Sequence, residues 1–403
     1  MLTLDEALQR LVGSIQPLAE SEAVDSFDAL GRVLAEPVCS LLDVPPADNS
    51  SMDGYALRRT DVPQAGTVLP VSQRIPAGLP PQPLQPGSAA RIFTGAQLPA
   101  DADAVVMQEH CAAVDQGAVR IDVVPTQGQW IRRRGEDVRA GDEVLARGAR
   151  LTPQALGMAA SVGAARLQVS RRPRVALFST GDELVLPGEP LRPGAIYNSN
   201  RHTLRALVQQ FGCSCSDFGI VPDRLDATRD ALRRAAQGHD LIITSGGVSV
   251  GEEDHLKPAV EAEGRLDLWQ VAIKPGKPLA FGEVHNGTAR ATHFIGLPGN
   301  PVSGFVTFLL AVRPVLLHLQ GVANWQPRAH PARADFDWPR PDKRREFLRV
   351  RRNAGGGLDL FPNQSSGVLS SVVWGDGLVD LPPGQAVHAG EAVAYLSFAE
   401  LLA

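Results

Sequence analysis

Hydrophobic and polar positions between residues 171 and 321 alternate between short apolar runs and amphipathic helical segments. The apolar runs that predict strands are 175–178, 217–221, 241–243, 268–273 and 293–295. The predicted helices are 200–211, a segment capped by Asp226 and ended by Gly238, and 302–319, which Asn300 caps and Pro301 opens. This alternation predicts a doubly wound, mostly parallel α/β sheet.

The amino-terminal part of the chain has a mixed pattern. Residues 1–44 predict two helices, one with a Thr3–Glu6 capping box and a second over 26–36 that Pro37 ends. Short apolar runs broken by Pro and Gly then predict a β-rich domain over 45–145. A helical pattern returns within 146–170, at 151–167.

The helical signal ends after Gly321. Apolar runs at 346–350, 368–373 and 392–398, with Gly and Pro between them, predict a small β-barrel or sandwich. The resulting segments are 1–44, 45–145, 146–170, 171–321 and 322–403.

Composition narrows the class of protein. A chain of 403 residues with 44% hydrophobic residues predicts two to four globular domains. The net charge of −5 argues against general binding to nucleic acid or to an anionic membrane surface. The longest apolar run, 304–319, is interrupted by Arg313 and Pro314, so no membrane span is expected. The four cysteines have neither disulfide-framework nor zinc-site spacing, which predicts a cytoplasmic protein.

Lysine is scarce, with four residues against 35 arginines, and three of the four are Lys257, Lys274 and Lys277. A chain that uses arginine so widely retains lysine where a compact ammonium charge is needed. Two of these charges lie in the proline-stiffened segment 274–278, which is suited to binding an oxyanion. The alternative interpretation is that these are surface lysines without a role.

Glycine-bearing and charged loops follow every predicted strand of the α/β domain, at the sheet edge where ligands bind in such folds. Glycines let backbone N–H groups approach phosphate. The candidate ligand-binding residues in these loops are Thr180, Gly181, Asp182, Ser245, Gly246, Gly247, Ser249, Pro298, Gly299, Asn300, Pro301 and Ser303. Carboxylates beside phosphate repel it unless a cation intervenes, so Glu183, Asp223 and Asp254 predict a Mg²⁺ site. Each loop alone could be an ordinary turn.

Several other functions lack their motifs. No G-x-G-x-x-G follows the first strand and there is no Walker loop, so dinucleotide and P-loop enzymes are disfavoured. The triplet 217–219 (DFG) lacks a kinase catalytic-loop partner. His255 is more consistent with a solvated side chain than with a base, and no nucleophile–His–Asp set is evident.

The motifs, taken together and in order, resemble the molybdopterin molybdenumtransferases (the MoeA and gephyrin E-domain family). The matching segments are 46–56 (PADNSSMDGYA), 93–96 (FTGA), 134–137 (RGED), 179–184 (STGDEL), 245–251 (SGGVSVG), 274–278 (KPGKP), 297–303 (LPGNPVS) and 367–371 (GVLSS). The resemblance covers essentially the whole chain.

This resemblance implies an elongated homodimer of four subdomains. Segment 45–145 is then subdomain II inserted into subdomain I, 171–321 the molybdopterin-binding subdomain III, and 322–403 the barrel of subdomain IV. Residues 1–44 contribute to subdomains I and III, and 146–170 return to subdomain I. The implied reaction is Mg²⁺-assisted insertion of molybdate into adenylated molybdopterin with release of AMP.

The resemblance also implies roles for individual residues. Glu183, Asp223, Asp254, Lys274 and Lys277 would line the site, and Asp53, Thr94 and Asp137 would come from the partner subunit. Gln270 stands where a relative carries lysine, which removes one basic contact. The molybdopterin adenylyltransferase is a candidate protein partner.

Two alternative functions remain open from the sequence. One is adenylyl transfer to molybdopterin, although its usual Gly-Gly-Thr-Gly loop is replaced here by 246–249 (GGVS). The other is a non-catalytic scaffold of the same fold, against which the intact charged loops argue.

Overall fold

The computed structural model describes residues 1–248, 255–288 and 291–403. Helix α1 (Leu4–Ser14) begins with the predicted capping box, in which Thr3 and Glu6 exchange hydrogen bonds. It buries Leu4, Ala7 and Leu11 in the largest hydrophobic cluster of the chain. The first predicted helix is therefore confirmed.

The predicted helix over 26–36 is wrong. The chain instead forms strand β1 (Ser21–Asp25), a single 3₁₀ turn (Ser26–Asp28) and a short strand β2 (Val38–Cys39). Gly31 has a φ of +73°, and the backbone N–H groups of Gly31 and Leu34 donate to Leu151 and Ala149. Pairing with a distant segment thus satisfies the backbone groups that a local helix would have paired.

The next part of the chain is β-rich, as predicted. Its strands are β3 (Asn49–Ser50), β4 (Gly54–Leu57), β5 (Thr67–Ile75), β6 (Ala89–Ile92), β7 (Ala104–Met107), β8 (Cys111–Val114), β9 (Ala118–Ile121), β10 (Ile131–Arg132) and β11 (Glu143–Leu145). Six of them form one sheet in the order β7-β4-β6-β5-β9-β8, while β10 pairs with β3 and β11 with β2. Helix α2 (Pro153–Ser161) and strand β12 (Arg166–Ser170) follow, and β12 pairs antiparallel with β1.

The α/β part of the chain contains the main sheet and its helices. The strands are β13 (Arg174–Thr180), β14 (Leu184–Val185), β15 (Ile196–Tyr197), β16 (Ser214–Val221), β17 (Leu241–Ser245), β18 (Gly264–Gln270), β19 (Ile273–Lys274), β20 (Pro278–Val284) and β21 (Thr292–Leu297). The helices are α3 (Ser199–Gln210), α4 (Leu225–Ala236), α5 (Leu256–Glu263), α6 (Pro301–Thr307) and α7 (Arg313–Leu319), with a π-helical turn (Phe308–Val312) between the last two.

The main sheet has the order β16-β13-β17-β21-β20-β18, and its first four strands are parallel. Alternate residues of β13 face opposite helix layers. Val175 and Leu177 pack with α1, α3, α6 and α7, whereas Ala176 and Phe178 pack with α4 and α5. This two-sided burial confirms the doubly wound architecture.

Several details of this region differ from the sequence-based expectation. Strand β20 was not predicted, and it lies antiparallel to both β21 and β18. Helix α4 follows Arg224 as its cap, and Asp226 lies in its first turn rather than capping it. Asn300 does precede α6, yet its side chain makes no capping hydrogen bond.

The segment Pro301–Leu319 contains the predicted helix 302–319 and is helical throughout. It has 19 residues with a mean hydropathy of 1.8, enough in length and composition to cross a membrane. However, 89% of that window is buried inside the fold. It behaves as a core helix.

The carboxyl-terminal strands are β22 (His330–Arg333), β23 (Arg345–Arg352), β24 (Leu358–Leu360), β25 (Gly377–Leu381) and β26 (Ala392–Ser397). They pair in the order β23-β25-β26-β22, and β24 also pairs with β23. A bridge between Ala334, just after β22, and Leu358 of β24 closes this sheet on itself. The predicted small barrel is therefore present.

One predicted strand of the barrel is wrong. Residues 368–373 contribute to helix α8 (Ser370–Trp374), and a last helix α9 (Phe398–Leu401) ends the chain. Val373 is 81% exposed, so the apolar run does not supply a buried strand face. Ser371 is buried instead, and its hydroxyl donates to Val368 O at 2.7 Å.

Candidate functional site

The loops after β13, β17 and β21 meet at one cavity of about 560 Å³. These strands are neighbours in the sheet and run parallel, so their carboxyl ends lie at the same edge. The predicted site residues that line this cavity are Thr180, Gly181, Glu183, Asp223, Ser245, Gly246, Gly247, Pro298, Gly299, Asn300 and Ser303. Pro301 is the first residue of α6 beside them. Ser249 and Asp254 lie outside the described residues.

The loop after β17 requires glycine. Gly246 has a φ of +90°, and a Cβ built there would lie 2.5 Å from the carbonyl oxygen of Thr180. Its N–H donates to Leu297 O at 3.1 Å, which holds the loop against the end of β21. The backbone can therefore pass close to neighbouring strands and to a ligand.

Two asparagines that sequence reasoning did not single out also line the cavity. Asn200 Nδ2 donates to Ser245 Oγ at 2.9 Å and to Gly299 O at 2.7 Å, so one side chain joins α3 to two loops. Asn198 caps α3 by accepting the N–H of Arg201 at 3.1 Å. The polar run Asn198-Ser199-Asn200 at the predicted helix start was the available signal.

Some buried polar atoms at this cavity have no hydrogen-bond partner within the described ranges. They include Thr180 Oγ1 and Asn198 Nδ2, on residues that are 6% and 2% exposed. Because buried polar atoms are nearly always paired, such atoms indicate groups that a polar ligand or water would satisfy.

A cluster of three carboxylates lies at one side of the cavity. Asp182 N–H donates to Asp223 Oδ2 at 3.3 Å, and Asp223 N–H donates to Asp182 Oδ1 at 3.2 Å. Burial raises the pKa of Asp223, and the negative charges of Asp182 and Glu183 raise it further. Across residues 1–248, 255–288 and 291–403, no group of three metal-ligating side chains is preformed. The third predicted ligand, Asp254, is outside these ranges.

The two predicted lysines do not line this cavity. Lys274 Nζ lies 3.1 Å from Glu346 Oε1 and 3.3 Å from Asp342 Oδ2, both in the carboxyl-terminal part of the chain. Lys277 is exposed and lines a separate depression with Met1, Lys343 and Arg344. Lys257, the third lysine of the cluster, belongs to α5.

The three residues that the resemblance placed in a partner subunit lie in the β-rich region and not at this cavity. Asp53 Oδ1 accepts the Thr94 N–H at 2.7 Å and the Thr94 hydroxyl at 2.8 Å. These hydrogen bonds hold the pKa of Asp53 below its usual value. Asp137 is exposed, and its N–H donates to Val44 O at 3.0 Å.

A buried guanidinium that sequence reasoning missed lies behind α6. Arg349 is 1% exposed, and burial lowers its pKa to about 10. Its Nε donates to Ser371 Oγ at 3.2 Å and its Nη2 to Ser365 O at 3.3 Å, while Ser366 O accepts the N–H of Val302 in α6. No carboxylate of the described chain pairs with this charge, which makes it a candidate anion contact.

The fold and the cavity at the carboxyl ends of β13, β17 and β21 define a multidomain α/β protein with a polar, glycine-lined site for an anionic ligand. Three family models match the chain: the MoeA N-terminal region (domain I and II) over residues 2–163, a probable molybdopterin binding domain over 176–318, and the MoeA C-terminal region (domain IV) over 331–398. The chain belongs to the molybdopterin molybdenumtransferase (MoeA) family.

Individual relatives match over the whole chain. A molybdopterin molybdenumtransferase of Haemophilus influenzae is 40% identical and covers 100% of both chains. One from Nostoc is 38% identical, covering 96% of this chain and 91% of its own. The crystal structure of a molybdopterin biosynthesis moeA protein from Pyrococcus horikoshii OT3 has a TM-score of 0.84 at 28% identity, covering 99% of this chain and 100% of that one.

Proposed function

We propose that this chain inserts molybdate into adenylated molybdopterin and releases AMP. Its family makes it a transferase of molybdenum cofactor biosynthesis. The observation that carries the proposal is the cavity at the ends of β13, β17 and β21, with its glycine loops and unsatisfied buried polar atoms. Such a site suits a large anionic substrate with phosphate groups.

The chain's own residues divide into two roles in this proposal. The backbone of Gly246, Gly247 and Gly299 and the hydroxyls of Ser245 and Ser303 bind and orient the phosphorylated substrate. Among the described residues no activated nucleophile is evident, so positioning and electrostatics dominate. Water attacks the adenylate phosphorus, the bond from that phosphorus to the molybdopterin phosphate breaks, and AMP is formed; if a molybdate oxygen attacks instead, water then hydrolyses the resulting adenylyl–molybdate anhydride to AMP. Departure of AMP then accompanies delivery of molybdenum.

The carboxylate cluster fits a divalent cation. Asp223 is partly buried near Asp182 and Glu183, so their negative charges repel one another and would repel a phosphate. Mg²⁺ is commonly held by one or two carboxylates together with substrate phosphates. Glu183 and Asp223 would hold it, with Asp254 as the third ligand. When bound, the ion neutralises charge on the phosphoanhydride and so favours its cleavage.

A homodimer with shared sites completes the proposal. The hydrogen-bonded Asp53–Thr94 pair and Asp137 are polar groups that do not line the cavity of their own chain. Across a two-fold axis they would face the partner's cavity. The four cysteines are free thiols, which supports a cytoplasmic location. An adenylyltransferase that supplies the activated substrate is the expected protein partner.

One incubation tests the proposal. Purified protein is given adenylated molybdopterin and Mg²⁺, with or without molybdate, and AMP is quantified. We expect AMP release that depends on molybdate. Release at the same rate without molybdate, or none in its presence, would refute molybdate insertion. A parallel incubation with ATP and non-adenylated molybdopterin should yield no adenylated product, and formation of that product would instead favour the adenylyltransferase.

A further inference from the structure

The segment between β18 and β20 leaves the main sheet and joins the carboxyl-terminal barrel. Strand β19 pairs in parallel with β23, with Ile273 opposite Arg345 and Lys274 opposite Glu346. Arg345 N–H donates to Ala272 O at 3.1 Å, which extends this pairing. The lysine-bearing segment is therefore held by a part of the chain about 70 residues further on.

The turn after β19 also packs against α6, on the side opposite the barrel. Gly276 has a φ of +110°, and a Cβ there would lie 2.2 Å from Thr307 Oγ1. The turn thus lies between the helix that borders the cavity and the barrel strand. Its backbone has little freedom to carry Lys274 elsewhere.

The carboxylates that face Lys274 are themselves immobilised. Glu346 is 1% exposed, and its Oε2 accepts the indole N–H of Trp338 at 3.0 Å and the N–H of Asp342 at 2.8 Å. With Oε2 engaged in this way, Oε1 has no hydrogen-bond partner among the described residues and forms an ion pair with Lys274 Nζ, 3.1 Å away. The Arg344 guanidinium donates two hydrogen bonds to Asp342. These hydrogen bonds are the main cause of the lowered pKa of Asp342, and Lys274 lowers that pKa further.

We propose that Asp342 and Glu346 form a positioning pair that fixes the ammonium of Lys274 on the turn that packs against α6, the helix bordering the candidate cavity. The inference rests on the proposed function because it takes Lys274 to take part in molybdate insertion. The pair holds the ammonium between two oxygens, while 40% of the side chain stays exposed and open to an incoming oxyanion. A short-range point charge is useful only when its position is fixed, and a flexible lysine would otherwise sample many rotamers.

This role can be measured without any turnover. The chain has only four lysines, so ¹⁵N-lysine labelling gives at most four side-chain ammonium signals, assigned by single Lys→Arg variants. An ammonium held between carboxylates exchanges its protons slowly and should give a visible ¹H–¹⁵N signal. We expect a signal for Lys274 that is lost in Glu346→Gln and weakened in Asp342→Asn. An unchanged Lys274 signal in both variants, or none in the wild type, would overturn the proposal.

The substitution Glu346→Gln is suited to this test because it retains an oxygen that can accept from Trp338 and Asp342. Glu391→Gln is the matched control, since Glu391 is exposed in the same barrel and accepts the nearby N–H of His388. The control should leave the Lys274 signal unchanged. If Glu346→Gln does not fold, as judged by circular dichroism, Asp342→Asn alone decides through the same signal.

A double-mutant cycle connects the pair to catalysis. We expect Glu346→Gln to lower kcat/KM for molybdate-dependent AMP release about tenfold. Combined with Lys274→Ala, it should cause no further loss beyond that of Lys274→Ala alone, because Glu346 acts through the lysine. Additive losses would overturn the positioning role. Full activity of Lys274→Ala would instead refute the catalytic part of the proposed function, while the ammonium signals would still test the pair.

Discussion

Asn200 Nδ2 lies 2.9 Å from Ser245 Oγ, and this contact joins the start of α3 to the end of β17. The same nitrogen donates to Gly299 O, so one amide connects α3, the end of β17 and the loop after β21. We expect Asn200→Ala to lower the free energy of unfolding by about 2 kcal/mol, because the buried groups it pairs are left without a donor. AMP release should fall with it.

The control for this substitution is Gln209→Ala on the exposed face of the same helix. Chemical denaturation and the AMP assay are measured on both variants. Equal effects of the two substitutions would show that the asparagine does not organise the site.

Gly246→Ala should disrupt the cavity through a steric clash in addition to the cost of a positive φ. The new Cβ would meet Thr180 O at 2.5 Å, and φ is +90°. The expected loss of stability exceeds about 3 kcal/mol, since backbone must move. Gly238→Ala is the matched control, because Gly238 has a φ of +79° with no atom within 4 Å of its built Cβ. That control should cost only about 1 kcal/mol. Equal denaturation midpoints would refute the close-approach argument.

Asp240 predicts a pH dependence of stability. Burial alone would raise its pKa, but the paired hydrogen bonds from Arg171 and the N–H of Arg174 hold its pKa below the usual value. A depressed folded-state pKa gives stabilisation that is fully present above the ordinary aspartate pKa and is lost as pH falls through the folded value. Unfolding free energies measured from neutral to acid pH should show this loss.

In Asp240→Asn, stability at neutral pH should be lower by about 2 kcal/mol, and the acid-induced loss should be smaller. Asp101→Asn, with a side chain 63% exposed, is the control and should retain the wild-type profile. Identical profiles for wild type and Asp240→Asn would contradict the assignment.

Removal of divalent cations should abolish AMP release, and Mg²⁺ should restore it. Asp223→Asn should raise the Mg²⁺ concentration that gives half-maximal activity at least about tenfold, since one of the proposed ligands loses its charge. Asp226→Asn, three residues away with a side chain 75% exposed, should not. Activity in the presence of a chelator, or the same Mg²⁺ requirement in all three proteins, would contradict a metal site at Asp223.

Mixed dimers test whether sites are shared between subunits. Asp53→Ala and Asp223→Ala are each expected to be inactive. Mixed at equal amounts with subunit exchange, they should recover about a quarter of wild-type AMP release, because half of the dimers then carry one intact site of two. A mixture of Glu183→Ala and Asp223→Ala, both on one side of the site, should recover nothing. No recovery in the first mixture, despite measured exchange, would place Asp53 outside the shared site.

The sequence predicted the α/β alternation well because helices and strands bury apolar residues at different, recognisable spacings. It failed where distant pairing decides the conformation. Gly31 and Leu34 donate to residues 149–151, so the periodicity of 26–36 was misleading, and β20 is defined by its neighbours on both sides. The run 368–373 failed because apolar composition alone did not show that Val373 would be exposed.

The part of the candidate site that lies in loops after strands could be predicted from the sequence. Glycine and carboxylate residues in those loops carry a local signal, and many of them line one cavity. Arg349 and the partners of Lys274 carry no such signal, and the polar run 198–200 marked Asn200 only as part of a helix start. Their roles arise from contacts with residues 16 to 99 positions away in the chain. Scarcity of lysine indicated that Lys274 was unusual without indicating what it contacts.

Strand β19 pairs with the first two residues of β23, and β24 pairs with its last three. A carboxyl-terminal fragment beginning near residue 322 would therefore carry an unpaired strand edge, open to self-association. The barrel is consequently not a transplantable module. Chimeras that exchange it between relatives should retain solubility only when residues 271–278 are exchanged with it, and insertions in that short turn should be tolerated poorly even though it lies far from the barrel in sequence.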